Sequence, residues 1–204
     1  MNADSKARLS DRGPEAVKSA LIKAACEMLA EFGPNAMSVR NVAIKAGVNH
    51  GQVHHYFGGK EGLIHAAAAK LAKDHYKNAH ERAEGQTFPA PLTLGEDSEY
   101  LSAVVRLVLD GRLDVATREL ESEESVPLAA RRLLTRKYQD AQVPTEVKAR
   151  LAIGAAIELG WAALEPYILQ VADVDETEQQ AVIEHAKCLA RTFVQHITDQ
   201  SEHE

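Results

Sequence analysis

The sequence predicts an all-α protein in which three N-terminal helices are joined by a long fourth helix to a larger helical domain. Apolar residues recur at steps of three and four in segment after segment, which is the period of an amphipathic helix. No long run alternates with the period of two that strands require. Glycine and proline pairs separate the periodic segments. At 204 residues, of which 45% are hydrophobic and 26% charged, the chain suits one large or two small domains.

The first helix is predicted to begin at Pro14, because proline is tolerated in the first turn, and to end at Gly33-Pro34. Its apolar stripe comprises Val17, Leu21, Ala25, Met28, Leu29 and Phe32. Residues 1–14 before it carry Lys6, Arg8 and Arg12 and are predicted to be a flexible basic arm. Such an arm is either a frayed terminus or a segment that touches nucleic-acid phosphates.

Two short helices joined by a tight turn follow, over 38–57. Ser38 is a good N-cap for the second helix, and Gly47 can adopt the left-handed conformation that turns the chain. Asn49 is predicted to be the N-cap of the third helix. Val53 and Phe57 lie four residues apart and anchor that helix by one face.

The other faces of the third helix carry side chains that do not belong in a small core: His50, Gly51, Gln52, His54, His55 and Tyr56. A helix held by few apolar residues, with hydrogen-bonding groups on its free faces, is what a helix-turn-helix needs to read a DNA groove. Lys60 opens the fourth helix, where its charge can meet a phosphate. Residues 15–60 are therefore predicted to be a helix-turn-helix DNA-binding domain.

Chelation of a metal by His50 and His54, which stand at i and i+4, is the rival explanation of the histidines. No carboxylate or thiol lies beside them to complete a ligand set, so no metal site and no cofactor are predicted. The chain also lacks GxSxG, a phosphate-binding loop and a dinucleotide-binding glycine turn, so it is not expected to be an enzyme.

Residues from about 15 to 72 resemble the DNA-binding domain of the tetracycline-repressor (TetR) family of bacterial regulators. The resemblance rests on AACEMLAEFGPNAMSV, VAIKAGV, GQVHHYF and KEGL, in that order and spacing. It implies DNA contacts by Arg40, Asn49, His50, Gly51, Gln52, His54, His55, Tyr56 and Lys60. His54 stands where the family often has a tyrosine, Asn49 where serine or threonine is usual, and Gly58-Gly59 where a more rigid link is common.

Residues 61–204 are predicted to be a C-terminal regulatory domain that binds a ligand and dimerises. The fourth helix, of roughly 20 residues or more, spans about 30 Å and can link the two domains. The glycine- and proline-rich segment 85–98 is the clearest loop. The candidate ligand-pocket residues are Tyr100, Arg106, Tyr138 and Trp161, although packing is the better explanation of each aromatic side chain.

The last two helices, about 145–167 and 175–199, resemble the pair through which members of this family form homodimers. Pro166 is predicted to kink or end the first of these helices, and the apolar positions of the second, Leu189 among them, are predicted to face inward. Small residues and an extended apolar stripe suit packing between helices, but they suit a monomer core equally. A two-fold dimer would place two reading helices in successive major grooves, about 34 Å apart.

The resemblance implies a ligand-responsive regulator, expected to be a repressor that a small-molecule effector releases from a palindromic double-stranded DNA operator. A helical small-molecule-binding or enzyme-like protein without a DNA role is one alternative. An architectural DNA binder without a ligand is the other. The outward histidines argue against the first, and the size of the C-terminal domain argues against the second.

Charge is distributed unevenly along the chain, whose net charge is −7. Residues 1–60 carry eight Lys/Arg against five Asp/Glu, a net +3, whereas residues 61–204 carry 15 against 25, a net −10. Only the N-terminal end is therefore suited to DNA. Cys26 and Cys188 are expected to be buried free thiols. Without an evident membrane span or signal segment, a cytoplasmic protein is expected.

Overall fold

The computed structural model describes residues 13–86, 90–138 and 142–199, and this part of the chain is helical without a β-strand, as predicted. Of the predicted basic arm, residues 1–14, all but the last two residues lie outside the described residues. The α-helices are α1 Pro14–Ala36, α2 Val39–Ala46, α3 Gly51–Phe57, α4 Lys60–Arg82, α5 Ser98–Leu109, α6 Leu113–Ala116, α7 Val126–Thr135, α8 Thr145–Val171 and α9 Gln179–Asp199. Short 3-10 turns span Leu94–Asp97, Thr117–Glu121 and Arg136–Tyr138.

The described chain falls into two compact units that interleave along the sequence. Unit 1 consists of residues up to His75 together with Ser102–Glu124. Unit 2 consists of Tyr76–Leu101 together with the chain from Ser125 onwards. Helices α4 and α5 therefore contribute residues to both units. This grouping differs from the single boundary at residue 60 drawn from the sequence, because 61–75 and 102–124 pack with the N-terminal helices.

The core of unit 1 is built on α1. Leu21 and Leu29, from its predicted apolar stripe, have no exposed surface. Gly33 has non-helical angles, φ 77° and ψ 173°, so the regular helix ends at Phe32 as predicted and 34–36 form a separate turn. A side chain at Gly33 would come within 2.9 Å of the Asp110 carboxylate, and Asp110 also accepts the Asn35 N–H at 3.4 Å.

Helix α2 has both of the end signals that the sequence indicated. The Ser38 hydroxyl accepts the Asn41 N–H at 3.1 Å and so caps the first turn. Gly47 ends the helix in the left-handed conformation at φ 68°. An ion pair of 2.9 Å between Lys45 and Glu27 joins α2 to α1.

Helix α4 extends over 23 residues, in agreement with the predicted long helix. Leu63, Ile64 and Ala67 on its unit 1 portion have no exposed surface. At its unit 2 end, Arg82 and Asn78 both donate to the Asp97 carboxylate, the latter at 2.7 Å. Asp97 is only 8% exposed, so these donors satisfy a buried charge.

Helix α8 dominates unit 2 and is 27 residues long. Pro166, which was predicted to kink or end this helix, does not end it, since the helix continues to Val171. The backbone N–H of Leu92, which has a left-handed φ of 62°, donates to both Glu158 oxygens at 2.9 and 3.0 Å. Asp175 accepts the Thr177 and Glu178 N–H groups and so starts the turn that leads into α9.

Apolar side chains on the last two helices are more exposed than the sequence suggested. Leu189, predicted to face inward on α9, is 72% exposed. Cys26 is buried as predicted, but Cys188 is exposed, so that prediction was wrong for the second thiol. Helix α8 is long and apolar enough to cross a membrane by length and composition alone, contrary to the expectation that no segment would be.

Candidate nucleic-acid interface

Helix α3 is attached to unit 1 through a single fully buried side chain. Val53 has no exposed surface, as predicted, whereas Phe57 is only half-buried. The polar residues around Val53 face outward: Asn49, His50, Gly51, His54 and His55 are exposed, and Gln52 and Tyr56 are half-buried. The structure therefore brings the predicted reading residues onto one accessible surface of seven helical residues and the turn before them.

The start of α3 is fixed by Asn49, though not as its N-cap. The Asn49 Oδ1 accepts the Gly51 N–H at 2.8 Å, and the residue in the N-cap position is His50. A side chain at Gly51 would approach this Asn49 oxygen to 3.3 Å. The amide oxygen of Asn49 is thus engaged in the turn, while its NH₂ group is a donor that can face a base edge or a phosphate.

Two glycines end α3 with conformations that other residues adopt rarely. Gly58 has φ 70° and donates its N–H to the His54 carbonyl at 3.0 Å, and Gly59 has φ 125°. A β-carbon at Gly59 would lie 3.5 Å from the His54 Nδ1. Gly58-Gly59 stand where the family commonly has a more rigid link. Glycine suits both positions because it adopts a positive φ without strain.

Tyr56 lies in a cluster of rings and charge. Its ring meets the His55 ring edge-on at a centroid distance of 4.7 Å and the Phe57 ring at 6.5 Å. The ammonium of Lys18, from α1, lies 5.8 Å from the centre of the Tyr56 ring. Sequence analysis did not select Lys18, because no spacing rule relates it to a helix almost 40 residues away.

Positive charge flanks α3 on both sides. Arg40 is exposed on α2 and has no ion-pair partner among the described residues. Lys60 is half-buried at the first position of α4, and its Nζ donates to the Asn35 carbonyl at 3.3 Å. Both side chains carry a positive charge of the kind that can bind backbone phosphates.

The four candidate pocket residues are divided between the two units. Tyr100 is buried, and Tyr138 and Trp161 are half-buried, all three in unit 2. The Trp161 Nε1 donates to Glu165 at 2.8 Å. Arg106 instead lies in unit 1, where its Nε donates to the Ala30 carbonyl at 2.8 Å, so its placement gives no support to a pocket role.

Among the described residues, no group of three or more His, Cys, Asp or Glu side chains is arranged to hold a metal ion. Near α3 the chemistry available is therefore that of hydrogen-bond donors, acceptors and cations. Such a set can bind base edges and phosphates.

Comparison with known proteins places this geometry in context. Residues 21–67 match the profile of the family described as bacterial regulatory proteins, tetR family. The HTH-type transcriptional repressor Rv3405c of Mycobacterium tuberculosis is 30% identical over 169 residues, which cover 80% of this chain and 81% of that protein. The HTH-type transcriptional regulator BetI of Stenotrophomonas maltophilia is 38% identical over 64 residues, 31% of this chain and 33% of that protein.

Two solved structures share the fold. A mutant of the HlyIIR protein superposes with a TM-score of 0.57 at 18% identity, covering 92% of this chain and all of that one. A tetR-family transcriptional regulator from Streptomyces coelicolor superposes with a TM-score of 0.52 at 18% identity, covering 92% and 90%. At such identities the likeness concerns the fold alone.

Proposed function

The chain belongs to the tetR family of bacterial regulatory proteins and is a DNA-binding transcriptional regulator, and we propose that it is a repressor that leaves its operator when a small molecule binds. The observation that carries the DNA role is the accessible polar surface of α3 around the buried Val53. The name of the Mycobacterium tuberculosis relative supports the direction of the response, repression. We also propose that it is not an enzyme and that it acts in the cytoplasm, where a bacterial operator lies.

We assign the DNA contacts according to the chemistry of each side chain. Gln52 suits an adenine edge, which it can bind with two hydrogen bonds, and the exposed histidines suit guanine acceptors or phosphates. Arg40 and Lys60 suit phosphates, which fix the register of the protein on the duplex without reading sequence. Gly51 allows the backbone to approach the DNA closely.

The exposed face of α8 supports a homodimer. Along it, Ile153, Ile157, Gly160, Leu164, Tyr167 and Val171 are separated by alternating steps of four and three residues. This is the spacing of a seam between two packed helices, and all of its large members are exposed by 37% or more. Buried or hydrogen-bonded positions such as Glu158 lie on the other side of α8, toward unit 2.

Helix α9 supports the same assembly. An open, mainly apolar groove of about 520 Å³ follows its N-terminal half, lined by Ala181, Val182, His185, Ala186 and Leu189 with the preceding Thr177 and Glu178. Gly154 of α8 lies close enough to Phe193 of α9 that a β-carbon there would make an ordinary contact at 3.9 Å. We assign α8 and α9 of two protomers to a four-helix bundle. Packing of α8 in this interface, and not insertion into a membrane, would explain why the helix is long and apolar.

The effector, in our proposal, binds within unit 2 near Tyr100, Tyr138 or Trp161. It must bind the DNA-released state more tightly than the DNA-bound state, since equal affinity would shift nothing. Helix α4 has residues in both units and is the element through which such a preference would reach α3. Trp161 is the one tryptophan of the chain, so its fluorescence reports on this region alone.

Selection of duplexes from random DNA by the purified protein tests the proposal. We expect a palindromic consensus with half-sites one helical turn apart and an affinity that falls steeply with salt. A ligand screen read by Trp161 fluorescence should then find compounds that release the selected duplex. If the selection yields no consensus and the protein binds the selected pool no more tightly than random DNA, the proposed binding to a specific operator is wrong. If the ligands that change Trp161 fluorescence leave the affinity for DNA unchanged, the proposed release of the operator by a small molecule is wrong.

A further inference from the structure

Lys18 lies on α1, outside helices α2 and α3 and the turn between them, yet its ammonium is directed to α3. The Lys18 Nζ is 5.8 Å from the centre of the Tyr56 ring, within the roughly 6 Å over which a cation is attracted to an aromatic face. The Lys18 side chain is 40% exposed, so its charge remains at the surface. The cation therefore belongs to the same surface as the reading residues of α3.

The carboxylate next to Lys18 does not hold it firmly. Glu15 lies 3.2 Å from the Lys18 Nζ on the same helix, and its side chain is 86% exposed. Ion pairs between exposed side chains three residues apart are weak and are screened by salt. The ammonium can therefore exchange Glu15 for a DNA phosphate at little cost.

The Tyr56 ring, next to this cation, also contacts the rings of its two neighbours in sequence. The His55 ring contacts it edge-on at 4.7 Å and 69°, and the Phe57 ring lies at 6.5 Å and 68°. The hydroxyl is the one hydrogen-bonding group of the Tyr56 side chain. A phosphate oxygen that accepts from this hydroxyl would also lie close to the Lys18 charge.

We propose that Lys18 contacts the DNA backbone and neutralises the phosphate that the Tyr56 hydroxyl binds. This inference rests on the operator binding proposed above. Lysine suits the role because its ammonium is a compact point charge on a flexible stem, which needs no fixed geometry at the phosphate. A contact of this kind strengthens binding to every sequence and reads none.

The chain offers a matched control in Lys23, which is exposed on the same helix. Five residues separate it from Lys18, and at 3.6 residues per turn this rotates it by about 140° around α1, away from Tyr56. Lys18→Gln and Lys23→Gln each remove one positive charge from α1. Lys18→Arg keeps the charge and should rescue the contact.

The experiment measures affinity for a duplex selected by the wild-type protein, and for random DNA, between about 0.05 and 0.3 M salt. One lost phosphate contact per protomer should reduce the slope of log K against log salt by about 0.9, or about 1.8 for a dimer. If the variant and the wild type bind equally at 1 M salt, where the electrostatic contribution vanishes, the variant should bind about 60-fold more weakly than the wild type at 0.1 M salt. Both DNAs should be affected alike. Lys23→Gln and Lys18→Arg should keep the wild-type slope, and thermal unfolding should confirm that each variant is folded.

Equal slopes for Lys18→Gln and Lys23→Gln, with a wild-type protein that binds its selected duplex, would overturn the role of Lys18 and leave the proposed function standing. A Lys18→Gln variant that loses affinity at an unchanged slope would also overturn it, because the loss would then come from the packing of α1 on α3. Failure of the wild-type protein to bind any selected duplex would overturn the proposed function itself, and this inference with it.

Discussion

Gly62 packs so closely on Phe57 that a β-carbon at Gly62 would lie 1.9 Å from the Phe57 carbonyl oxygen. No real pair of atoms tolerates this distance, and the obstacle is backbone, which cannot rotate away as a side chain can. The first turn of α4 is thereby held against the last residue of α3. A glycine at this position sets how the long helix leaves the helix-turn-helix.

Gly62→Ala should therefore destabilise unit 1 by about 3 kcal/mol, in the range of severe overpacking. Urea unfolding followed by circular dichroism measures the loss. Gly154→Ala is the matched control, because its β-carbon would meet nothing nearer than Phe193 at 3.9 Å, and alanine favours a helix by up to about 1 kcal/mol. Equal stability of the two variants would mean that the α3–α4 junction adjusts freely.

The helix boundaries and the helix-turn-helix were accessible from the sequence because their signals are local. Ser38 as a cap, Gly47 as a left-handed turn and Val53 as an anchor depend on residues a few positions away, and the structure confirms each of them. The long α4 followed in the same way from the absence of helix breakers.

The contacts that complete the site depend on folding and were not accessible. Lys18 meets Tyr56, and Arg106 meets Ala30, only because α1 packs beside α3 and α5. Gly62 lies in the KEGL motif, but its contact with Phe57 depends on the packing of α4 against α3 and cannot be predicted from the spacing of residues. On α9 the apolar pattern predicted a buried face at Leu189, because periodicity indicates which residues share a face and not whether the same chain covers that face.

Gln52 and Lys60 should respond differently to truncation if their assigned roles hold. Gln52→Ala should relax the preference at one base position of each half-site and cost about 1–3 kcal/mol on the selected duplex, with little effect on random DNA. Lys60→Ala should weaken selected and random DNA about equally and reduce the salt slope by about 1 for each protomer. Affinities for both DNAs across a salt series measure these effects. Indistinguishable behaviour of the two variants would refute the assignment.

The stability of unit 2 should fall as pH rises above the acid range, because Glu158 then loses its proton. Burial raises the pKa of Glu158 above its ordinary value of 4.5, although the Leu92 N–H acts in the opposite direction. The folded state therefore binds the Glu158 proton more tightly than the unfolded state, so the stabilisation is complete below pH 4.5 and is lost as pH rises through the folded pKa.

Glu158→Gln should accordingly raise the urea midpoint at neutral pH, since its amide oxygen can still accept from Leu92. The advantage over the wild type should disappear below about pH 4.5. Glu99→Gln, at an exposed position of α5, controls for the general loss of a negative charge. If the urea midpoint of Glu158→Gln at pH 7 is at or below that of the wild type, the hydrogen bond from Leu92 stabilises the Glu158 carboxylate by more than burial destabilises it.

Leu164 is 52% exposed in the middle of the α8 seam, and a charge there should separate the protomers. In a seam, each such residue inserts between residues of the facing helix, so Leu164→Asp would bury a carboxylate without a partner. We expect a monomer by light scattering with retained helical content, and operator affinity lower by at least about tenfold because one reading helix binds without its pair. Ala152→Asp is the control, since Ala152 is exposed on α8 but lies outside the alternating four-and-three repeat. A Leu164→Asp protein that remains dimeric would move the interface away from α8.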